Sequence, residues 1–199
     1  MFTGIIKTVS KVMDISLSDS GMVLSIENPI PEIAEGESIS VNGVCSTVKK
    51  NNGALFFDYM PETLRKTNLK ELQAGQMVNI EQSMKLSDRL DGHIVSGHID
   101  CTGKIQSVTA EGNSFVYKIT VLESKFMPLV AKKGSVSIDG ISLTVVSAGE
   151  DFFTVSIIPY TQDHTNLKQK KIGDSVNLEF DMIAKYIQRI IKDQYADQK

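Results

Sequence analysis

What most constrains the fold of this chain is that it repeats itself. Ser38-Ile39-Ser40-Val41-Asn42-Gly43-Val44-Cys45-Ser46-Thr47-Val48 returns as Ser135-Val136-Ser137-Ile138-Asp139-Gly140-Ile141-Ser142-Leu143-Thr144-Val145, a shift of 97 residues (140 minus 43). Pro61-Glu62-Thr63 and Thr67-Asn68-Leu69 return as Pro159-Tyr160-Thr161 and Thr165-Asn166-Leu167, and Gly75-x-x-Val78-Asn79-x-Glu81 as Gly173-x-x-Val176-Asn177-x-Glu179, at a shift of 98 (159 minus 61). Three blocks in one order with nearly constant spacing mark a tandem duplication. Two similar pockets can hold two similar molecules. The start aligns as well, Thr3-Gly4-x-Ile6-x-x-Val9 with Thr102-Gly103-x-Ile105-x-x-Val108 at a shift of 99 (102 minus 3), which puts the second copy's beginning near residue 98. Ser83 to Asp91 is polar and carries no strand pattern, so the boundary falls there, with one domain over 1–91 and a second over 92–181.

Each half, at roughly 90 residues, can bury its own core. Short runs rich in Val, Ile, Phe and Ser, broken by glycine-bearing turns, read as strands. Asn42-Gly43 and Asp139-Gly140 tolerate the positive φ of a type I′ turn and sit between alternating apolar residues, so a hairpin is expected at the same place in each copy. Asp14 to Ser20 and Thr109 to Asn113 are expected to be looser connections. Many short strands and few helices predict an all-β molecule built of two small antiparallel barrels, whose closure removes exposed edges. After the last repeat block, Met182, Ile183, Tyr186, Ile187, Ile190 and Ile191 recur at helical spacing, which predicts a C-terminal helix over 182–199. Such a stripe packs on its own domains or forms a contact between subunits, and the first is its default use.

With 21 basic and 24 acidic residues the net charge is -3, which provides no basic field for nucleic acid. No apolar run approaches membrane-spanning length. Cys45 and Cys101 form no spaced framework, and the N-terminal residues lack a secretory pattern, so a cytoplasmic protein with reduced thiols is expected.

Alternation along the strand points Ser142 and Thr144 to one face and Ile141, Leu143 and Val145 to the other, with Cys45 and Thr47 as the first-copy partners. Such small polar groups either face water or offer donors and acceptors to a flat ligand. His93, His98 and Cys101 invite a metal reading, but the spacing argues against it: two histidines five apart on a strand point to opposite faces, and no compact four-ligand set exists. Asp181 precedes the apolar stripe as a helix N-cap, and a carboxylate fixed there could also orient a reacting group.

Met1-Phe2-Thr3-Gly4-Ile5, Asn42-Gly43-Val44-Cys45-Ser46-Thr47-Val48, Glu62-Thr63-Leu64-Arg65, Ser96-Gly97-His98-Ile99 and Asp139-Gly140-Ile141-Ser142-Leu143-Thr144-Val145 together resemble the riboflavin synthases of the α-chain type, over essentially the whole chain. The resemblance implies two six-stranded antiparallel Greek-key barrels, a C-terminal trimerisation helix and a homotrimer, with no metal or organic cofactor. It implies dismutation of two molecules of 6,7-dimethyl-8-ribityllumazine, in which a four-carbon unit moves from one to the other. It leaves room for association with lumazine synthase. Carried over by position, the N-half pocket would use Gly4, Ile5, Ile6, Cys45, Ser46, Thr47, Asp58, Tyr59, Met60, Pro61, Glu62 and Thr63. The C-half pocket would use Gly97, His98, Ile99, Lys133, Ser142, Leu143, Thr144, Ser156, Ile157, Ile158, Pro159, Tyr160 and Thr161. Phe2, Cys45, His98, Ser142, Thr144 and Asp181 match positions near the reacting centre. The assignment drawn is His98 with Ser142 for proton handling, Asp181 orienting Ser142, and Cys45 and Thr144 for binding and intermediate stabilisation.

Two rivals belong to other classes. Lumazine and yellow fluorescent antenna proteins share the fold and part of the pattern but bind without converting, whereas Cys45, His98, Ser142, Thr144 and Asp181 are all retained here. A barrel for single-stranded nucleic acid needs a basic groove with stacking aromatics, which the acidic balance and lack of tryptophan oppose.

Overall fold

A computed structural model describes residues 1–196. The first half runs β1 (Thr8–Ser18), β2 (Gly21–Glu27), β3 (Ser38–Val41), β4 (Val44–Thr47), β5 (Lys50–Asn51), β6 (Ala54–Tyr59), a short helix α1 (Pro61–Lys66) and β7 (Met77–Gln82). The second runs β8 (Cys101–Glu111), β9 (Ser114–Val121), β10 (Ser135–Ile138), β11 (Ile141–Ala148), β12 (Phe152–Ile157), α2 (Pro159–Asp163) and β13 (Ser175–Phe180). Helix α3 (Met182–Ala196) follows; residues 197–199 of the expected helix lie outside the described residues.

The second half closes as an antiparallel barrel, β10-β11-β12-β9-β8-β13. The first keeps that order as an open sheet, β4-β3-β7-β1-β2-β6-β5. Its two ends are consecutive in sequence: β4 and β5 together stand where β11 stands, parted at Val48-Lys49. β11 carries a bulge between Val145 and Ser147 at the matching point. Lys49 N–H still donates to the Phe56 carbonyl at 2.8 Å, so the extended segment joins the ends of the sheet. Each half has its own core, around Leu24, Ile39, Phe57 and Ile80 in the first and Ile119, Val136, Phe153 and Leu178 in the second.

Two expected loops are instead largely strand. β1 continues through Asp14 to Ser18, paired with β2, and β8 continues through Thr109 to Glu111, paired with β9. Polar residues alternate there with apolar ones that still reach the cores, Ile15 against the first and Phe115 against the second, so the segments read as loops by composition while the backbone remains laddered. The alignment of the two starts also differs. Asn79 pairs with Val9 and Asn177 with Thr102, so the true offset between β1 and β8 is 93 (102 minus 9), and the counterpart of Thr3-Gly4 is Ser96-Gly97, not Thr102-Gly103.

The hairpin turns have the expected form. φ is positive at both central residues: 46° and 80° at Asn42 and Gly43, 45° and 83° at Asp139 and Gly140. They also pack against each other. A Cβ on Gly43 would lie 2.6 Å from Gly140 N, and one on Gly140 would lie 2.8 Å from Gly43 N. Around this contact runs a buried amide network. Asn79 N–H donates to Asn42 Oδ1 and Asn177 N–H to Asp139 Oδ1, both at 2.7 Å, while Asn79 Nδ2 crosses to the Asp139 carbonyl at 2.9 Å and Asn177 Nδ2 to the Asn42 carbonyl at 2.8 Å. Asn166 and Asn68 complete it, Asn166 N–H donating to Asn79 Oδ1 at 2.6 Å and Asn68 N–H to Asn177 Oδ1 at 2.7 Å. Each bond contributes about 1 kcal/mol net, and leaving one of these buried groups unpaired costs more.

Gly43→Ala and Gly53→Ala separate the turn contact from backbone strain, because both glycines have positive φ but nothing lies within 4 Å of a Cβ at Gly53. Gly53→Ala is expected to cost about 1–2 kcal/mol. Gly43→Ala should cost a further ~1–3 kcal/mol for the forced separation of the hairpins, measured by urea unfolding. Equal losses would contradict the turn-to-turn packing.

Candidate active site

Two polar faces arise from the same strand position in each copy. Cys45 is half-buried and Thr47 exposed on β4, with Val44, Ser46 and Val48 turned inward; Ser142 is half-buried and Thr144 exposed on β11, with Ile141 and Val145 inward. Alternation therefore sorts these residues as expected. It also turns some expected contacts away: Ser46 Oγ is buried against Tyr59 Oη at 2.6 Å, and the side chains of Tyr59 and Ile157 lie in the barrels. Burial pushes the Tyr59 hydroxyl well above its ordinary value.

Each face is completed by the segment that enters the other copy. Cys45 N–H donates to the Gly97 carbonyl and Ser142 N–H to the Gly4 carbonyl, both at 2.8 Å. A Cβ on Gly97 would fall 2.7 Å from Cys45 Cβ, and one on Gly4 would fall 2.6 Å from Ser142 Cβ, so only glycine permits the approach. Ile6 packs on the second core and Ile99 on the first. The segment of Gly4, Ile5 and Ile6 thus lies beside Ser142, and that of Gly97, His98 and Ile99 beside Cys45, a grouping crossed relative to the expected one.

Matched carboxylates hold both segments. Glu81 Oε1 accepts from Thr3 N–H and Oγ1–H at 2.7 and 2.6 Å, and its Oε2 accepts from Gly4 N–H at 3.0 Å. Glu179 does the same for Ser96 N–H and Oγ–H, both at 2.6 Å, and for Gly97 N–H at 2.8 Å. Burial raises the Glu81 pKa against the opposing pull of its bonds from Thr3 and Gly4. The signal for these clamps is a glutamate inside each copy of an otherwise inward-alternating strand block, with a hydroxyl-glycine pair elsewhere.

Within one chain, His98 is exposed on the Cys45 side, its N–H on Ser96 Oγ at 3.2 Å. The imidazole at Ser142 is instead that of His93, whose Nδ1 is 2.7 Å from Ser142 Oγ. Asp181 caps α3, Oδ1 accepting from Ile183 N–H at 2.9 Å; its charge faces His93, and no hydrogen bond joins it to Ser142 among the described residues. Phe2 is fully buried and pairs with Val95 through two backbone bonds of 2.7 and 3.1 Å.

The remaining expected contact positions lie at the ends of β6 and β12 and in the segments that follow them. Asp58 is exposed and paired with Lys49 at 2.7 Å; Met60, Pro61, Glu62 and Thr63 begin α1, with Glu62 ion-paired to Arg65. Ser156 is exposed on β12, Ile158 and Pro159 open α2, and Tyr160 stacks on His164 with ring centroids 4.0 Å apart ahead of Thr161. Among the described residues no three His, Cys, Asp or Glu side chains are grouped to hold a metal ion, and no helix is long and apolar enough to cross a membrane. Cys101 lies in the second core, where burial pushes its thiol up to about 12. Two cavities, of about 360 Å³ at the seam between the barrels and about 490 Å³ beside α2, are lined by neither Cys45 nor Ser142.

Lys133 breaks the symmetry. Its φ is 69°, at the place where the first copy has Gly36 with φ 89°, and both donate a backbone N–H to the matching carbonyl, Val145 at 2.9 Å and Val48 at 2.7 Å. A lysine held left-handed beside Thr144 stores strain, the kind kept at functional positions. Lys133→Gly is expected to raise unfolding stability by about 0.5–1 kcal/mol, measured by urea unfolding. Unchanged stability would show that the position is unstrained.

The sequence pattern of the lumazine binding domain matches residues 3–83 and again 96–181, repeating at the structural offset of 93 (96 minus 3). The chain is 45% identical to the riboflavin synthase of Actinobacillus pleuropneumoniae, over all of this chain and 93% of that one. It is 39% identical to the riboflavin synthase of Bacillus subtilis (strain 168), over 96% of this chain and 90% of that one. Among solved structures, LumP in complex with riboflavin superposes with a TM-score of 0.84 at 22% identity, covering 90% of this chain and 99% of LumP, a likeness of fold. A duplicated lumazine-binding pattern and close relatives along the whole chain make it a member of the riboflavin synthase family.

Proposed function

We propose that this chain acts as a riboflavin synthase, converting two molecules of 6,7-dimethyl-8-ribityllumazine into one riboflavin and one 5-amino-6-ribitylaminopyrimidinedione. The observation that carries the reading is the pair of related but unequal faces, Cys45-Thr47 and Ser142-Thr144, in a chain of this family. Two lumazines contain every atom of the two products, so the dismutation needs no outside oxidant or cofactor. A reaction between two copies of one molecule gains most from sites that hold both in register, because that removes much of the entropic barrier to encounter.

The 7-methyl group of a lumazine is acidic for a carbon acid, since its anion delocalises into the ring. A base or activated water removes that proton from one molecule, and a nucleophile adds to the ring of the other. Cys45, Thr47, Thr144 and Lys133 are assigned to holding the ligands, Ser142 to proton handling, and the segments 58–63 and 156–161 to the ribityl and ring edges.

Within one chain the two faces are built on different barrels, so a shared reaction needs a second copy. We assign that assembly to a homotrimer in the cytoplasm, with the Cys45 face of one chain meeting the Ser142 face of its neighbour and so bringing His98 toward Ser142. The exposure of α3 supports this: Ile183 is 60% exposed, Tyr186 67% and Ile190 64%, and among the described residues Ala184 is the one apolar side chain of the helix that packs on the second core. An apolar stripe this exposed in the single chain favours the contact between subunits over packing on its own domains.

Incubation of purified, metal-free protein with the lumazine alone tests the reading. About one riboflavin should form per two lumazines consumed, followed by chromatography, as the stoichiometry dictates. Tight binding without riboflavin would support the antenna function instead.

A further inference from the structure

Cys45 and Ser142 stand at the same place in the two copies, yet only Ser142 has an imidazole behind it. His93 Nδ1 lies 2.7 Å from Ser142 Oγ, and its backbone N–H donates to the Thr3 carbonyl at 3.2 Å. The ring is buried. Gly92 lets this segment approach, since a Cβ there would meet the Thr3 carbonyl oxygen at 2.1 Å and Ser142 Oγ at 2.9 Å. No histidine hydrogen-bonds to Cys45 among the described residues.

The difference between the side chains gives the arrangement a purpose. A thiol releases its proton near pH ~8.5, whereas an aliphatic hydroxyl holds its proton far more tightly. A serine becomes a useful proton acceptor or donor only when a partner orients and polarises its O–H. We propose that His93 is a positioning residue for Ser142: its Nδ1 accepts the hydroxyl proton in a hydrogen bond and leaves the Oγ lone pairs facing the ligand. The inference rests on the reading of Ser142 as part of the reacting site.

The surroundings of the ring fit this role. The ring's hydrogen-bond partner is Ser142 from β11, and the charge facing it is Asp181 from the start of α3, while the Thr3 carbonyl holds the backbone of the same residue. Burial lowers its pKa below the ordinary 6.5, against the pull of Asp181, so the ring is neutral near pH 7 and Nδ1 is free to accept. The ring proton then sits on Nε2, which is buried and has no hydrogen-bond partner among the described residues. The negative field of Asp181 favours a proton on the ring.

A double-mutant cycle tests the role in the full chain, with single-turnover rates and lumazine dissociation constants for wild type, His93→Asn, Ser142→Ala and the double variant. His93→Asn should slow the bound complex roughly tenfold, as loss of one oriented hydrogen bond implies, while changing the dissociation constant by less than about twofold. In the Ser142→Ala background it should have no further effect on the rate. An equal loss in both backgrounds, or a loss confined to binding, overturns the positioning role while leaving Ser142 in place. If Ser142→Ala itself leaves the rate unchanged, the assignment of Ser142 to the reacting site fails first and this inference with it. A readout free of turnover is the ring nitrogen NMR of His93. Unprotonated Nδ1 and protonated Nε2 near neutral pH are expected, and the opposite tautomer contradicts the proposal.

Discussion

The contact of two glycines fixes everything else. Gly43 and Gly140 bring two type I′ turns together at a distance no side chain would allow, and the amides of Asn42, Asn79, Asn166, Asn177 and Asn68 with Asp139 knit the surrounding backbone. Because the turns meet tip to tip, the strands leaving them, β4 and β11, are displayed next to the segments that lead into the opposite barrel. The faces at Cys45 and Ser142 are products of that geometry. The residue types of the network match between the copies except at Asn42 and Asp139, and the exchange is compensated: Lys170 Nζ lies 3.4 Å from the buried Asp139 carboxylate, at the position that the first copy fills with Leu72. A buried charge appears together with its partner, as its desolvation cost requires.

Duplication supplies two faces, and divergence makes them unequal. The clamps are conserved between the copies in function, Glu81 on Thr3-Gly4 and Glu179 on Ser96-Gly97. What differs is what each face presents: a thiol in one copy and a hydroxyl hydrogen-bonded to His93 in the other, with a left-handed lysine where the first copy has glycine. Two identical molecules bound at such faces meet different chemistry, which a dismutation demands of its donor and acceptor.

Much of this was legible in the residues, and the failures have physical causes. Asn42-Gly43 and Asp139-Gly140 announced the turns because few other pairs accept positive φ twice. Strand alternation placed Cys45 with Thr47 and Ser142 with Thr144. The starts were misaligned because Thr3-Gly4 and Thr102-Gly103 match as letters, while the clamp requires a hydroxyl followed by a glycine of positive φ. Gly4 and Gly97 have φ of 75° and 83°, and Gly103 lies within a strand. His93 went unnoticed because it reaches Ser142 only through a long-range approach that no spacing in the sequence announces. The exposure of α3 was equally invisible, because periodicity identifies an apolar stripe but not what covers it.

The exchange of segments between the copies is the central claim, and the thiol of Cys45 reports on it directly, since Cys101 is buried. Alkylation rates of Cys45 should be compared in wild type, Gly97→Ala and Gly4→Ala. Gly97→Ala is predicted to change the rate, because the new methyl would stand 2.7 Å from Cys45 Cβ, and Gly4→Ala to leave it as in wild type, because its methyl meets Ser142. A response of Cys45 to Gly4→Ala with none to Gly97→Ala would contradict the crossed construction of the two faces.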